Sequence, residues 1–217
     1  MRGDTMRTKI LAVRIIPNAD AGMLKALKIP RWHRSLGIIS TDCDDVSYAA
    51  LDEATKRAEV QVAYARSMYA GAANAGTALA GEFLGILSGP DPEEVRSGLE
   101  AAIDFAETTA SFYSACSDDS VVYFAHCVSR TGSYLSKEAR IKEGEPLAYL
   151  IAPPLEAMVG LDAALKTASV ELRLFYGPPT ETNFAGGLLT GDQAACRAAC
   201  EAFAQMVCDI ADNPTGY

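Results

Sequence analysis

The chain carries one stretch twice, and a repeat of this kind limits the possible folds more than any single residue does. LDEATKRAEVQV, starting at Leu51, matches LDAALKTASVEL, starting at Leu161, with Leu51/Leu161, Asp52/Asp162, Ala54/Ala164, Lys56/Lys166, Ala58/Ala168 and Val60/Val170 in register. Further along, ILSGPDPEEV from Ile86 and LLTGDQAACR from Leu188 each end an apolar run in a small hydroxyl residue and glycine, then open a helix. The second copy reaches that point eight positions sooner, so its intervening loop is shorter. Each half is a little over a hundred residues, a comfortable domain size, which divides the chain into 1–110 and 111–217. Two like domains in one chain can imitate a symmetric dimer while each half diverges.

The elements follow the repeat. Ile10 to Ile16 is apolar and rich in β-formers and ends at Pro17-Asn18, and Val121 to Val128 does the same before Arg130-Thr131-Gly132. After each comes a short helical stretch, then a strand, Leu36 to Ser40 and Leu147 to Ile151. The matched helix is next, about Asp44 to Arg57 and Leu155 to Thr167, with small apolar residues at helical spacing. Val60-Gln61-Val62 and Val170-Glu171-Leu172 return to alternation, and a loop, another strand and a last helix complete each unit. Asp91-Pro92-Glu93-Glu94 opens that helix with a capping acid, proline at the first helical position and two acids on the helix dipole. Its counterpart, Thr190-Gly191-Asp192-Gln193, has capping-box spacing from Thr190. Short, unevenly spaced strands fit an α+β arrangement of antiparallel sheets with helices segregated to one face, and argue against a doubly wound parallel sheet.

Composition narrows the function. Apolar residues make up 49% and charged residues 22%, enough for each half to bury a core. No apolar run approaches the roughly 18 residues that span a bilayer, and Arg14 interrupts the first one, so the expectation is a soluble cytoplasmic protein without a secretory signal. The net charge is -9 and the basic residues are scattered along the sequence, which disfavours nucleic acid and anionic lipid as partners and favours cations. Cys43, Cys116, Cys127, Cys196, Cys200 and Cys208 form no CxxC pair and no disulfide framework, so they read as reduced.

The halves differ where function would concentrate. Asp44 and Asp45 stand at a helix start, where acids are favourable for structural reasons alone. The sister positions are Pro154 and Leu155, so the same helix start is built there without acids. Aligned on the Ser-Gly and Thr-Gly anchors, Glu82 at the head of a strand corresponds to Phe184. These acids are either solvated surface groups or an anionic site for a cation. They could also hold a divalent metal, though three carboxylates specify no particular ion. A third reading is an enzyme whose paired acids do general acid and base work; it needs a raised pKa, whereas a helix N-terminus lowers one.

Several motifs tie the sequence to a family. RSLGIISTDCDDVSYAALDEATKRAEVQV from Arg34, GEFLGILSGPDPEEVRSGL from Gly81, HCVSRTGSYLSKEA from His126, PLAYLIAPPLEAMVGLDAALKTA from Pro146 and PPTETNFAGGLLTGDQAACRAACEAF from Pro178 are spread along the chain in both halves. Together they resemble the EutL-type shell proteins of the ethanolamine-utilization bacterial microcompartment. The resemblance implies two tandem, circularly permuted microcompartment domains, each a small, mainly antiparallel sheet with helices packed on it, assembled as a pseudohexameric homotrimer beside neighbouring shell proteins. It implies a gated central passage, smaller channels and no chemical step. A plain structural tile with no ligand site stays open as an alternative.

The same resemblance carries ethanolamine-binding positions onto Asp44, Asp45, Glu82, Phe112, Thr182, Asn183 and Phe184. Phe184 stands where relatives often have tyrosine, so a hydroxyl is missing there. The physical reading of these residues agrees with that ligand. Ethanolamine is an ammonium ion with a hydroxyl two carbons away, and carboxylates at one end with hydrogen-bonding groups at the other suit it. An aromatic face at Phe112 would add roughly 0.5 to 2 kcal/mol. Two segments poor in large side chains or rich in proline and glycine, Met68 to Glu82 and Tyr176 to Gly187, read as surface loops on composition and become gate candidates within the family. No cofactor is required; cobalamin is a larger molecule that such a gate could admit, and no residue identifies a site for it.

Other residues read as structure. Cys196, Cys200 and Cys208 recur at helical spacing as small apolar side chains, without the histidine or thiol pair of a zinc site. His33 and His126 read as core or strand histidines. Ser129, Ser133 and Ser136 lack a nucleophile-elbow context, and no phosphate loop, dinucleotide fingerprint or HExxH occurs.

Overall fold

In a computed structural model describing residues 2–68, 79 and 81–216, the repeat appears as two runs of elements in the same order. The first is β2 (Ile10–Ile16), α1 (Ala21–Ala26), β3 (Ser35–Thr41), α2 (Asp44–Arg57), β4 (Gln61–Ser67), β5 (Phe83–Gly89) and α3 (Pro92–Asp104), preceded by a short β1 (Thr5–Met6). The second is β7 (Val122–Val128), α4 (Ser133–Ala139), β8 (Leu147–Ala152), α5 (Pro154–Thr167), β9 (Glu171–Tyr176), β10 (Ala185–Thr190) and α6 (Gln193–Asp212). A π-helical turn at Phe105–Thr109 and β6 (Phe112–Ser114) separate the two runs.

Sheet order repeats as well. The four-stranded sheet runs β2-β3-β5-β4, and the six-stranded one contains β7-β8-β10-β9 with β6 and β1 added beyond β7. Among the described residues every strand pairing is antiparallel, as the uneven strand spacing implied. Finer details coincide too. Lys28 and Arg140 both have positive φ, at 57° and 53°, and Ile29 N–H donates to the Leu24 carbonyl as Ile141 N–H does to Ser136. Gly81 and Asn183, ahead of β5 and β10, have φ of 58° and 64°.

The compact units are not plain halves. Where the sequence suggested 1–110 and 111–217, one unit holds the N-terminal residues through Arg7, Ser111–Thr131 and the chain from Ser136 onward, and the other holds Thr8–Ala110 with Gly132–Leu135. The N-terminal residues change sides because Thr5 and Met6 pair with Tyr113 and Phe112. Residues 132–135 change sides because Asp52 of α2 accepts hydrogen bonds from Gly132 and Leu135 N–H, at 2.7 and 2.8 Å.

Each sheet packs a helix pair on one face. In the first-run unit Gly37 lies under Val95 and Leu99 of α3, and Gly85 under Leu51 of α2. In the second-run unit Leu150, Ala148 and Leu189 meet Leu161, Cys200 and Phe203 in one cluster. The expectation that all helices share a face fails for α1. Leu24 and Leu27 join Leu36 and Ile86, whose side chains point to the opposite side of the sheet from that of Leu87, the partner of Gly37. A six-residue helix, with Leu24 within it and Leu27 as its C-cap, suffices to cover that second face.

Helix starts behave as local chemistry requires, with one correction. Asp91 accepts from Glu93 and Glu94 N–H, both at 2.9 Å, and Pro92 opens α3. For α6 the cap is Asp192, which accepts from Ala195 N–H at 2.7 Å, and not Thr190. Thr190 is still the last residue of β10, and its hydroxyl donates to the Pro146 carbonyl.

Candidate functional site

The acidic group is built by strand register. β3 ends at Thr41 opposite Phe83, which brings Glu82 beside the turn that leads into α2. Glu82 N–H donates to the Thr41 carbonyl at 2.9 Å, and its own carbonyl accepts from Met68 N–H at 2.7 Å. Gly81 is required here: it has positive φ, and a Cβ would overlap the Thr41 carbonyl oxygen. Asp44 and Asp45 open α2 and are buried, with Asp45 N–H donating to the Asp44 carboxylate at 2.9 Å. Their helix has no side-chain cap at Cys43. The favourable macrodipole therefore falls on these two acids.

Crowding of negative charge shows in the titration of the neighbours. Burial first, then Asp44 and Asp42, push the Glu82 carboxyl above its usual range. Burial, followed by Asp45 and Asp44, pushes the Cys43 thiol far up, so this cysteine is not a nucleophile. The Tyr48 hydroxyl, 2.8 Å from Ser67 Oγ, is raised by burial with the same two acids contributing. Asp42 is a fourth member that the sequence reading passed over, although TDCDDV puts it two positions before Asp44. Its carboxylate accepts from Lys9 N–H at 2.7 Å. Among the described residues no group of three or more side chains is assembled to hold a metal ion.

The remaining nominated residues lie in the other unit. Thr182, Asn183 and Phe184 form a turn ahead of β10: Thr180 N–H donates to the Phe184 carbonyl at 2.9 Å, Asn183 N–H to the Thr180 carbonyl, and Phe184 N–H to Thr180 Oγ1. Phe184 meets the edge of Phe112 with ring centroids 5.7 Å apart. Phe112 in turn stacks on Phe124 at 5.5 Å and is only 8% exposed. Its ring is thus spent on packing within an aromatic cluster and supports Phe184. The acids gather around one turn, and Phe112 gathers with Phe184 and its turn. Of the two loop candidates, Tyr176 to Gly187 is described and internally hydrogen-bonded, whereas Met68 to Glu82 lies largely outside the described residues.

Residues set aside as structural stay so. His33 Nδ1 lies 2.9 Å from Ser88 Oγ, and burial lowers its pKa. His126 stacks on Phe124. Cys196, Cys200 and Cys208 are buried, and all six cysteines are free.

Comparison with known proteins decides the family. The BMC domain profile matches residues 35–117. That stretch starts at β3 and leaves β2 and α1 of the same unit ahead of it, the arrangement of a circularly permuted domain. The bacterial microcompartment shell protein EutL of Clostridium perfringens is 63% identical over 217 residues, covering 100% of both chains. The chain belongs to the EutL family of microcompartment shell proteins. The EutL of Escherichia coli is 53% identical over 211 residues, 97% of this chain and 96% of its own. The crystal structure of EutL from Leptotrichia buccalis, 65% identical, superposes over 100% of both chains with a TM-score of 0.97. Members of this EutL family are shell proteins, and the carboxylates need no catalytic role. Among the described residues no helix is long and apolar enough to cross a membrane.

Proposed function

We propose that the chain forms a homotrimeric tile of the ethanolamine-utilization microcompartment shell in the cytoplasm, with the carboxylates around the β3–α2 turn receiving ethanolamine on its passage. The 63% identity to a EutL shell protein over the entire chain carries the shell role. The concentration of Asp42, Asp44, Asp45 and Glu82 in one unit, at a place where the sister unit has Pro154, Leu155 and Phe184, supports the ligand.

Burial, followed by Asp44 and Asp42, raises the Glu82 pKa, and an ammonium group accepted by Asp45 and Glu82 offsets the repulsive part of that rise. Thr182 and Asn183, in the other unit, carry a hydroxyl and an amide of the kind that suits an alcohol. Phe184 offers its backbone and a ring edge, held by Phe112. A site that must release its passenger binds weakly, so the expected affinity is modest. The loops at Met68 to Glu82 and Tyr176 to Gly187 are the gate in this reading. Cobalamin, a larger passenger, is tested separately by absorbance-monitored binding.

Calorimetry tests the site. The parent protein should bind ethanolamine, and replacing Asp45 by Asn together with Glu82 by Gln should abolish the heat of binding. Unchanged binding in that double variant would remove the acids from the site and leave a tile without it.

A further inference from the structure

One connector has opposite chemistry in the two units. His33 N–H donates to the Pro30 carbonyl at 3.0 Å, and Glu145 N–H donates to the Lys142 carbonyl at 3.1 Å, so Pro30-Arg31-Trp32-His33 and Lys142-Glu143-Gly144-Glu145 are the same four-residue turn. Each follows a residue of positive φ, Lys28 or Arg140, and each leads into the matching strand, β3 or β8. The first turn carries Arg31 and Trp32 and is followed by Arg34. The second carries Glu143, Gly144 and Glu145 and is followed by Pro146. A common backbone thus bears two cations and an indole in one unit and two acids in the other.

The cationic turn is fixed through its backbone while its arginines stay unengaged. Arg34 N–H donates to the Gly89 carbonyl at 3.0 Å, and the Arg34 carbonyl accepts from Ala19 N–H at 2.8 Å. Both arginines are exposed, and among the described residues neither guanidinium has a hydrogen-bonded or ion-paired partner. In a chain of net charge -9 a carboxylate is easily found, and Arg2, Arg57, Arg96 and Arg173 each have one. In the sister turn the Glu145 carboxylate accepts from Lys142 N–H at 3.3 Å.

The two guanidiniums line one open depression of about 580 Å³, together with Asn18, Asp20 and His33. That volume lies within the roughly 300–1,000 Å³ of small-molecule sites. Asp20 is the acid in the lining, and its carboxylate is occupied by Gly22 and Met23 N–H at 2.8 and 3.3 Å. The first α1 N–H groups are satisfied in the same way, so the donors of the depression are side chains. His33 is 2% exposed, and its Nδ1 lies 2.9 Å from Ser88 Oγ, which leaves Nε2 without a hydrogen-bond partner among the described residues. When Ser88 donates to Nδ1, Nε2 carries the proton and is a donor. Trp32 meets the His33 ring edge-on with centroids 6.0 Å apart, and is 65% exposed. Two forked guanidiniums, an imidazole and an amide around one hollow suit a phosphate, which presents three oxygens, better than a carboxylate, which presents two. The indole offers a flat apolar face to whatever carries that phosphate.

We propose that the turn at Arg31 to Arg34 binds a phosphate group carried by a small ester, whose organic part rests on Trp32. The site stands at the opposite end of β3 from the acidic turn, so it goes beyond the ethanolamine reading and does not depend on it.

Trp32 is the single tryptophan of the chain, and its fluorescence reports this turn alone. Titrating the parent protein with phenyl phosphate should give a saturable change that chloride at matched ionic strength does not give. Arg31→Gln with Arg34→Gln should weaken that binding at least tenfold while circular dichroism stays unchanged; Arg197→Gln, at an exposed arginine of α6, should not. Inorganic phosphate, followed in the same way, separates the two sources of the group. Binding at least threefold weaker than that of phenyl phosphate supports the ester on Trp32, whereas equal binding overturns the ester and assigns the arginines to free phosphate. A response no greater than that of chloride, or one that survives the double variant, would overturn the phosphate site itself. Binding that appears only after Glu143→Gln with Glu145→Gln would also overturn it, because the acidic turn of a second copy would then be the partner of these arginines. Ethanolamine calorimetry is a separate reading, so failure of one site is distinguishable from failure of the other.

Discussion

Asp52 and Asp162 are the same residue at the same point of the repeat, four residues before a lysine in each, yet their surroundings are opposite. Asp52 is fully buried, accepts from two backbone N–H groups 80 and more residues away, and has Lys56 at 3.8 Å. Asp162 sits in solvent, with its side chain 60% exposed, and pairs with Lys166. A shared local pattern therefore fixes the helix and not the work done by its residues. That work is set by what covers the face.

The largest effect should come from packing. Phe203 lies against Gly160, whose Cβ would come within 2.8 Å of the ring, while the capping acids align Phe203 with Ala102 and the repeat aligns Gly160 with Ala50. The second-run unit thus uses a large and an absent side chain where the first uses two small ones. Phe203→Ala should cost about 3–5 kcal/mol in urea unfolding. Adding Gly160→Ala should recover part of that loss, because the two residues share one space. Failure of any recovery would mean that the two helix pairs are not packed alternatives of one plan.

Next in size is the aspartate pair itself. Asp52→Ala should lower stability by about 2 kcal/mol, since two buried N–H groups lose their acceptor, whereas Asp162→Ala should stay within about 0.5 kcal/mol. Burial raises the Asp52 pKa above its ordinary 3.8, with its hydrogen bonds opposing the rise. The native state then binds the proton more tightly than the unfolded chain, so this contribution is present below pH 3.8 and fades as pH rises through the raised value. Asp52→Asn should flatten that stretch of the stability–pH profile.

The smallest effect concerns ligand. Glu82 is also raised, above 4.5, by burial and by Asp44. Ethanolamine stays an ammonium throughout acidic pH and needs the ionised acid, so its affinity should already fall while pH is still above 4.5. Glu82→Gln should remove this dependence in calorimetry. Phe184 itself carries no carboxylate at the position that Glu82 holds in the sister unit, and Phe184→Tyr should leave the pH profile alone.

Much of this architecture could be read from residues because the signals are local. The helix Asp44–Arg57 and the strand Ile10–Ile16 have the bounds that periodicity and turn residues imply. β1 and β6 escaped because strands of two and three residues have no alternation to detect, and their pairing joins Thr5 to Tyr113. The α6 cap was misplaced because Thr190 and Asp192 both satisfy a capping spacing, and only the end of β10 decides between them. In the site, the contrast between halves drew attention to Asp44, Asp45 and Glu82. Asp42 was missed because strand register, which a one-dimensional pattern does not contain, is what brings it to Glu82. The packing of Phe112 against Phe124 and Phe184 was not legible because it depends on partners 12 and 72 positions away.

A trimeric tile requires the two sister units to continue their pattern from chain to chain. Light scattering on the purified protein measures this directly. It predicts a mass near three chains of 23.0 kDa each, independent of concentration over a wide range. A stable single-chain mass would contradict the tile.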